Sequence, residues 1–249
     1  MVGAVAVSCG MTAVAGDAEW SEDGFSLGKQ CAGLPNHSAL RSALTAARQQ
    51  TNGGFNLDMW ATVVNRDGVV CAVAFTGADR GSQWPGSRVI SAQKANTANA
   101  FSLPGLALST ANLYYAVSPG GSLYGLQHSN PVDPEVAYRG PATNFGTWND
   151  PMTGRRIGGV NVFGGGLALY NASHVLLGAV GVSGDSSCAD HNVAWRVREA
   201  LGLAQVPGGV NGGTDGLIYV KTNPTGFEHP DCGNKEAGVG AQIGASTGP

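Results

Sequence analysis

Lys94, His128, Asp190 and His191 are the residues whose types and settings could do chemistry in this sequence. Lys94 lies in Ser91-Ala-Gln-Lys-Ala-Asn-Thr-Ala-Asn-Ala-Phe101, where Ile90, Lys94, Thr97 and Phe101 follow at offsets of four, seven and eleven. That spacing puts them on one helical face. A lysine on an apolar face either snorkels to water or meets an anion. In the second case Lys94 and Thr97 line a pocket, and the ammonium meets a carboxylate of a ligand.

Asp190 and His191 close the stretch Gly181-Val-Ser-Gly-Asp-Ser-Ser-Cys-Ala-Asp-His191, which reads as a strand end, a Gly/Ser turn and a helix start. Ser187 and Asp190 are spaced as a capping box, and Asp185 and Asp190 suit the positive end of a helix. The free N–H groups of such a terminus also make an anion site. His191 beside Asp190 is either a solvated helix-terminal imidazole or a base or metal ligand. His128 sits in Tyr124-Gly-Leu-Gln-His-Ser-Asn-Pro131, near Tyr114, Tyr115 and Tyr138. This loop either closes over a flat ligand or packs on the sheet. His37, His174 and His229 read as surface residues. The sequence holds no GxSxG elbow, HExxH pair, GxGxxG turn or Walker loop, so the usual serine-hydrolase, zincin and nucleotide-binding classes have no support.

The elements that position these residues follow from periodicity and turn signals. Residues 36–50 predict a helix with Leu40, Leu44 and Ala47 as its stripe, capped by Asn36 or Ser38. Strands at 59–65 and 69–76 flank Arg66-Asp-Gly68, a strong hairpin signal. Helices are expected over 87–101 and 188–201. A second hairpin is expected over 161–170 and 175–182, and a short strand over 216–221. Gly164-Gly-Gly166 falls inside a strand, where it marks a bulge or a close backbone approach. Hairpins with separate helices indicate an α+β fold, an antiparallel sheet covered by helices. The domain runs over 36–203, with a Pro/Gly/Asn/Tyr-rich insert at 102–159 of the kind that forms lids or binding loops. Residues 16–35 form an N-terminal arm and 204–249 a loose tail.

Composition narrows the partners. The chain of 249 residues has 14 Lys and Arg against 17 Asp and Glu, and no basic cluster, which argues against nucleic acid. No apolar run is long enough to span a bilayer. With 39 glycines but no three-residue period, a collagen-like chain is excluded. Residues 1–15 end in Ala13-Val-Ala15, the apolar and small-x-small parts of a secretory signal, although the first basic residue is Lys29. The other reading is an Ala/Val-rich tail. Beyond Cys9, four cysteines remain, an even number that suits disulfides in an exported protein. Cys31 and Cys232, in polar segments near the two ends, are the favoured pair. Cys71 and Cys188 either pair or stay as buried thiols. No zinc-type spacing is present.

The segments Ser91–Phe101, Phe163-Gly-Gly-Gly-Leu-Ala-Leu169, Gly178-Ala-Val-Gly-Val-Ser-Gly184 and Ala189-Asp190 together resemble the GlcG/HbpS-like haem-binding family, also met as a domain of PduO proteins. Cys188–Val197 and Gly226–Cys232 resemble a longer, exported branch of it. The resemblance implies a profilin-like α/β sandwich with an antiparallel sheet of about five strands, often assembled into homo-oligomers. It implies haem as the ligand, with degradation or redox sensing in some members. On this reading Lys94 meets a propionate, Thr97 and Gly165 line the pocket, and His191 or His128 ligates the iron. An alternative is a cofactor-free enzyme in which Lys94 binds a small carboxylate-bearing substrate and Asp190 and His191 supply acid–base chemistry. A non-catalytic oligomeric module is the third reading.

Overall fold

The computed structural model describes residues 27–220 and 224–247. The signal-like segment 1–15 and residues 16–26 of the arm lie outside them. A short helix α1 (Leu27–Gln30) leads into α2 (His37–Arg48). Asn36 caps α2, its side chain accepting from the Ala39 N–H at 3.0 Å. The α2 stripe of Leu40, Ala43, Leu44 and Ala47 is buried against the sheet. Strands β1 (Trp60–Asn65) and β2 (Val70–Phe75) follow as the expected hairpin. Gly68, at φ 75°, supplies the left-handed residue of the turn. The Asn65 side chain accepts from the Asp67 and Val69 N–H groups, both at 2.9 Å.

Helix α3 (Ser87–Phe101) crosses one face of the sheet. The insert then runs through two 3₁₀ turns and three short helices, α4 (Tyr114–Val117), α5 (Leu126–Ser129) and α6 (Pro134–Ala137). Strands β3 (Gly166–Tyr170) and β4 (Leu176–Ser183) form the second hairpin, and α7 (Ser187–Ala200) returns over the opposite face. The sheet order is β2-β1-β4-β3, antiparallel throughout. Alternation sorts the side chains by face. Ala61, Val63, Val180 and Val182 meet α2 and α7 residues such as Leu44, Val193 and Val197. Trp60, Val64 and Ala179 meet Ala92, Ala95 and Ala98 of α3. Helices therefore cover both faces of the sheet, as the α+β reading expected.

Several expectations are corrected. Among the described residues the main sheet has four strands, where about five were implied. The strand expected at 216–221 is β5 (Leu217–Tyr219), which pairs in parallel with β6 (Glu228–His229) and β7 (Ser246–Thr247) in a separate small sheet. The tail is not loose, since it also contains α8 (Glu236–Ile243). Leu217, Tyr219 and Ala237 pack with Ala111 and Cys188, which gives the tail its own apolar centre. Strand β3 starts at Gly166 rather than residue 161, because Gly165 lies at φ 114° and breaks the extended run.

The insert is pinned as well. Arg88 of α3 donates from Nε to Asp150 at 2.8 Å and from Nη1 to the Ala137 carbonyl at 2.7 Å. Ala137, Met152 and Ile157 of the insert are buried against α3.

The favoured Cys31–Cys232 pair is also wrong. The disulfides are Cys31–Cys71 and Cys188–Cys232. The segment after α1 lies over β2, within reach of Cys71, while the tail returns to the start of α7.

Candidate functional site

Lys94 meets its anion inside the protein. Its Nζ donates to Asp190 Oδ2 at 2.6 Å and to the Val182 carbonyl at 3.0 Å. The two side chains are 1 % and 3 % exposed. The ligand carboxylate expected for Lys94 is thus replaced by a carboxylate of α7. Asp190 also accepts the Asp185 N–H at 2.9 Å, so it closes the turn ahead of its own helix. The capping box expected between Ser187 and Asp190 does not form. Ser186 is the N-cap instead, accepting from the Ala189 N–H at 3.3 Å. Burial pushes the Asp190 carboxyl up to about 6, against the pull of Lys94. Burial likewise lowers the Lys94 ammonium, against the pull of Asp190.

Gly165 passes beside this pair, and Thr97 lies one turn along α3 from Lys94. A Cβ on Gly165 would lie 3.0 Å from the Asp190 Cβ and 3.3 Å from the Lys94 Nζ. Glycine there lets the chain pass beside the ion pair, and the close approach expected for the triple glycine is made to the Val182 carbonyl of β4 and to α3 and α7. Thr97 Oγ1 donates to the Gln93 carbonyl at 2.7 Å and accepts the Asn161 N–H at 2.9 Å, joining α3 to the approach of β3.

His191 lies on α7 and is wholly buried. Its ring is tilted relative to that of Trp195 with centroids 6.2 Å apart, and neither ring nitrogen meets hydrogen-bond criteria with a partner among the described residues. Burial lowers its pKa to about 3, so the ring is neutral through the physiological range. The structure gathers Lys94, Gly165 and Asp190 into one buried cluster, with Thr97 one turn further along α3 and His191 next in sequence to Asp190.

His128 stands apart from them. It is exposed and lines a cavity of about 330 Å³ with Tyr114, Val117, Tyr124, Val162 and Phe163. Gly125 caps α5 at φ 93°, and the short helix after it carries Gln127 and His128 to the rim. A second cavity of about 530 Å³ lies at the start of α3, between Trp60, Arg80, Val89, Tyr138 and Phe145. It contains no histidine, and its Arg88 is stacked over the Phe145 ring at 3.7 Å and ion-paired with Asp150.

His229 is the residue most misjudged from sequence. Expected at the surface, it is 1 % exposed, and its ring centroid lies 4.9 Å from that of Tyr114. Its Nε2 is 3.1 Å from Ser187 Oγ and its Nδ1 is 2.8 Å from the Pro230 carbonyl. The disulfide formed by Cys188 and Cys232 lies beside it, with the Cys188 sulfur 3.9 Å from Nδ1. A His three residues before a cysteine, Glu228-His-Pro-Asp-Cys232, was the available signal. His37 is half-buried, bonded to the Gly146 carbonyl at 2.9 Å, and His174 is exposed as expected.

A helix-covered antiparallel sheet with a pinned insert defines the class of protein, and the comparisons place it within that class. The family model described as haem-degrading protein, HbpS-like, matches residues 36–199. The chain belongs to this family. No curated protein matches it significantly. Similar solved structures include the PduOC–heme complex, 23 % identical over 66 % of this chain and 89 % of that one, with a TM-score of 0.45. The Klebsiella pneumoniae protein ORFY is 24 % identical over 67 % and 90 %, with a TM-score of 0.44. A double mutant of the Streptomyces reticuli HbpS is 16 % identical over 81 % and 99 %, with a TM-score of 0.43. Family membership points to haem as the ligand class.

Proposed function

We propose that this protein binds haem, or a closely related tetrapyrrole, at the aromatic cavity beneath the insert, with His128 as the iron ligand. One observation carries this choice of site. Of the two candidate histidines, His128 alone is exposed at a cavity with aromatic walls, whereas His191 is sealed in the core. The rings of Tyr114, Tyr124 and Phe163 offer apolar faces to a flat macrocycle, and a neutral imidazole is a common haem ligand. At about 330 Å³ the cavity is at the small end for ligand sites. Haem would be held there by His128 and the apolar faces of Tyr114, Tyr124 and Phe163. Its lining residues include no Lys or Arg, so no cation of the lining would pair with a propionate. When bound, the haem supplies the redox and oxygen chemistry, while the protein supplies the ligand, the apolar walls and the orientation.

The acid–base alternative has less support. Lys94 and Asp190 engage each other and His191 is buried, which leaves no free group of the three facing a substrate. Export is favoured by the two disulfides, which persist in oxidising compartments. Titration with haemin tests the reading. A Soret band distinct from that of free haemin, saturating at one haem per chain, supports it. Absence of any saturable band rejects it.

A further inference from the structure

Cys188, His229 and Cys232 bring one nitrogen and two sulfurs within 4.8 Å of one another. We propose that this group is a redox-gated metal site: when the Cys188–Cys232 disulfide is reduced, the two thiolates and the His229 imidazole bind a borderline-soft divalent cation of the zinc class. Cys188 lies within the family-matched segment, whereas His229 and Cys232 lie beyond it, in the small second sheet and the loop after it. The site therefore joins the family core to this chain's own extension. It uses none of the residues assigned to haem, so the two proposals fail separately.

The geometry suits the ligands. Tetrahedral zinc with bonds of about 2.3 Å to sulfur and about 2.1 Å to nitrogen needs sulfur and nitrogen roughly 3.6 Å apart. The Cys188 sulfur and His229 Nδ1 are already 3.9 Å apart. The two sulfurs must separate from their bonded distance to roughly 3.8 Å. Side-chain rotation accomplishes that with the α-carbons held at 6.1 Å. His229 is buried beside the two sulfurs, and it is the neutral ring that a metal takes. In this structure Nδ1–H donates to the Pro230 carbonyl at 2.8 Å, so metal binding requires that bond to break and the proton to move to Nε2, which then donates to Ser187 Oγ, 3.1 Å away, and fixes the ring. The Cys232 sulfur lies 3.3 Å from the Cys188 N–H and 3.5 Å from Ser187 Oγ at the start of α7, donors that favour its thiolate. Cys232 is half-buried between exposed Asp231 and Gly233, which gives a reductant access.

The chemistry balances with a dithiol reductant. The dithiol gives two electrons and two protons, its own disulfide forms, and the Cys188–Cys232 bond becomes two thiols. Binding of the cation then releases those two protons to water, and a water completes the fourth position.

The test is a titration of the full chain with cobalt(II), as a spectroscopic stand-in for zinc, before and after reduction with a phosphine. The reduced chain is expected to bind one cobalt with thiolate charge-transfer bands, and the oxidised chain none. His229→Ala should weaken reduced-state binding at least about tenfold, since even supporting residues around a metal are worth that much. Cys188→Ser should abolish the charge-transfer bands. Zinc should also raise the melting temperature of the reduced chain. The proposal is overturned by equal uptake in the oxidised chain, by no uptake on reduction, or by unchanged affinity in His229→Ala. A reduced chain that stays unfolded in saturating zinc overturns it too.

Discussion

Lys94 Nζ and Asp190 Oδ2 are 2.6 Å apart in a core that water does not reach, although 96 residues separate them in the chain. The pair ties α3 to α7 across the edge of β4 and stands where a ligand carboxylate was expected.

Breaking this pair should be far more damaging than removing it. Lys94→Met alone leaves a buried carboxylate, and Asp190→Asn alone leaves a buried ammonium. Each should lower stability by about 3–5 kcal/mol, whereas Lys94→Met with Asp190→Leu should recover most of the loss. Urea midpoints of the two single variants and the double variant read this directly. A loss in the double variant equal to the sum of the two single losses would show that the pair is not coupled.

Stability should fall on the acid side of neutrality. His191 and His229 are held down to about 3 and about 4, below an ordinary 6.5, so each contributes stability that is lost as pH falls. Asp190, raised to about 6, acts in the opposite sense between its ordinary value and that pH. Two imidazoles against one carboxyl leave the unfolded chain with one extra proton between pH 4 and 6. Stability there should rise with pH by about 1.4 kcal/mol per unit. His229→Gln should flatten that slope, which a series of denaturant midpoints against pH would show.

The disulfides should map as Cys31–Cys71 and Cys188–Cys232 in a non-reducing peptide digest. Closing the first spans 40 residues, for which chain entropy predicts about 4 kcal/mol at 25 °C. Cys31→Ala with Cys71→Ala should lose stability of that order. Recovery of a Cys31–Cys232 peptide would contradict the arrangement.

What the sequence revealed was local. The bounds of α3, the Asp67-Gly68 turn and the stripe of α2 depend on neighbours a few residues apart, and all are found where expected. Lys94 was legible as a choice between snorkelling to water and meeting an anion, and the structure takes the second. Its partner was not, since periodicity carries no information about which helix lies opposite. The same limit hid the cysteine pairing and the burial of His229, both of which depend on the tail folding back onto α7. The glycines at 164–166 illustrate the difference. Their close approach was readable, but what approaches, the Val182 carbonyl, the Lys94–Asp190 pair and α7 rather than a ligand, was not.

The most direct measurement compares haemin binding by absorbance in the wild type, His128→Ala and His191→Leu, with circular dichroism confirming that each is folded. A saturable Soret band in the wild type, shifted and weakened at least about tenfold in His128→Ala but retained in His191→Leu, is the predicted result. An unchanged spectrum in His128→Ala, or loss of the band in a folded His191→Leu, would contradict the assignment of the site.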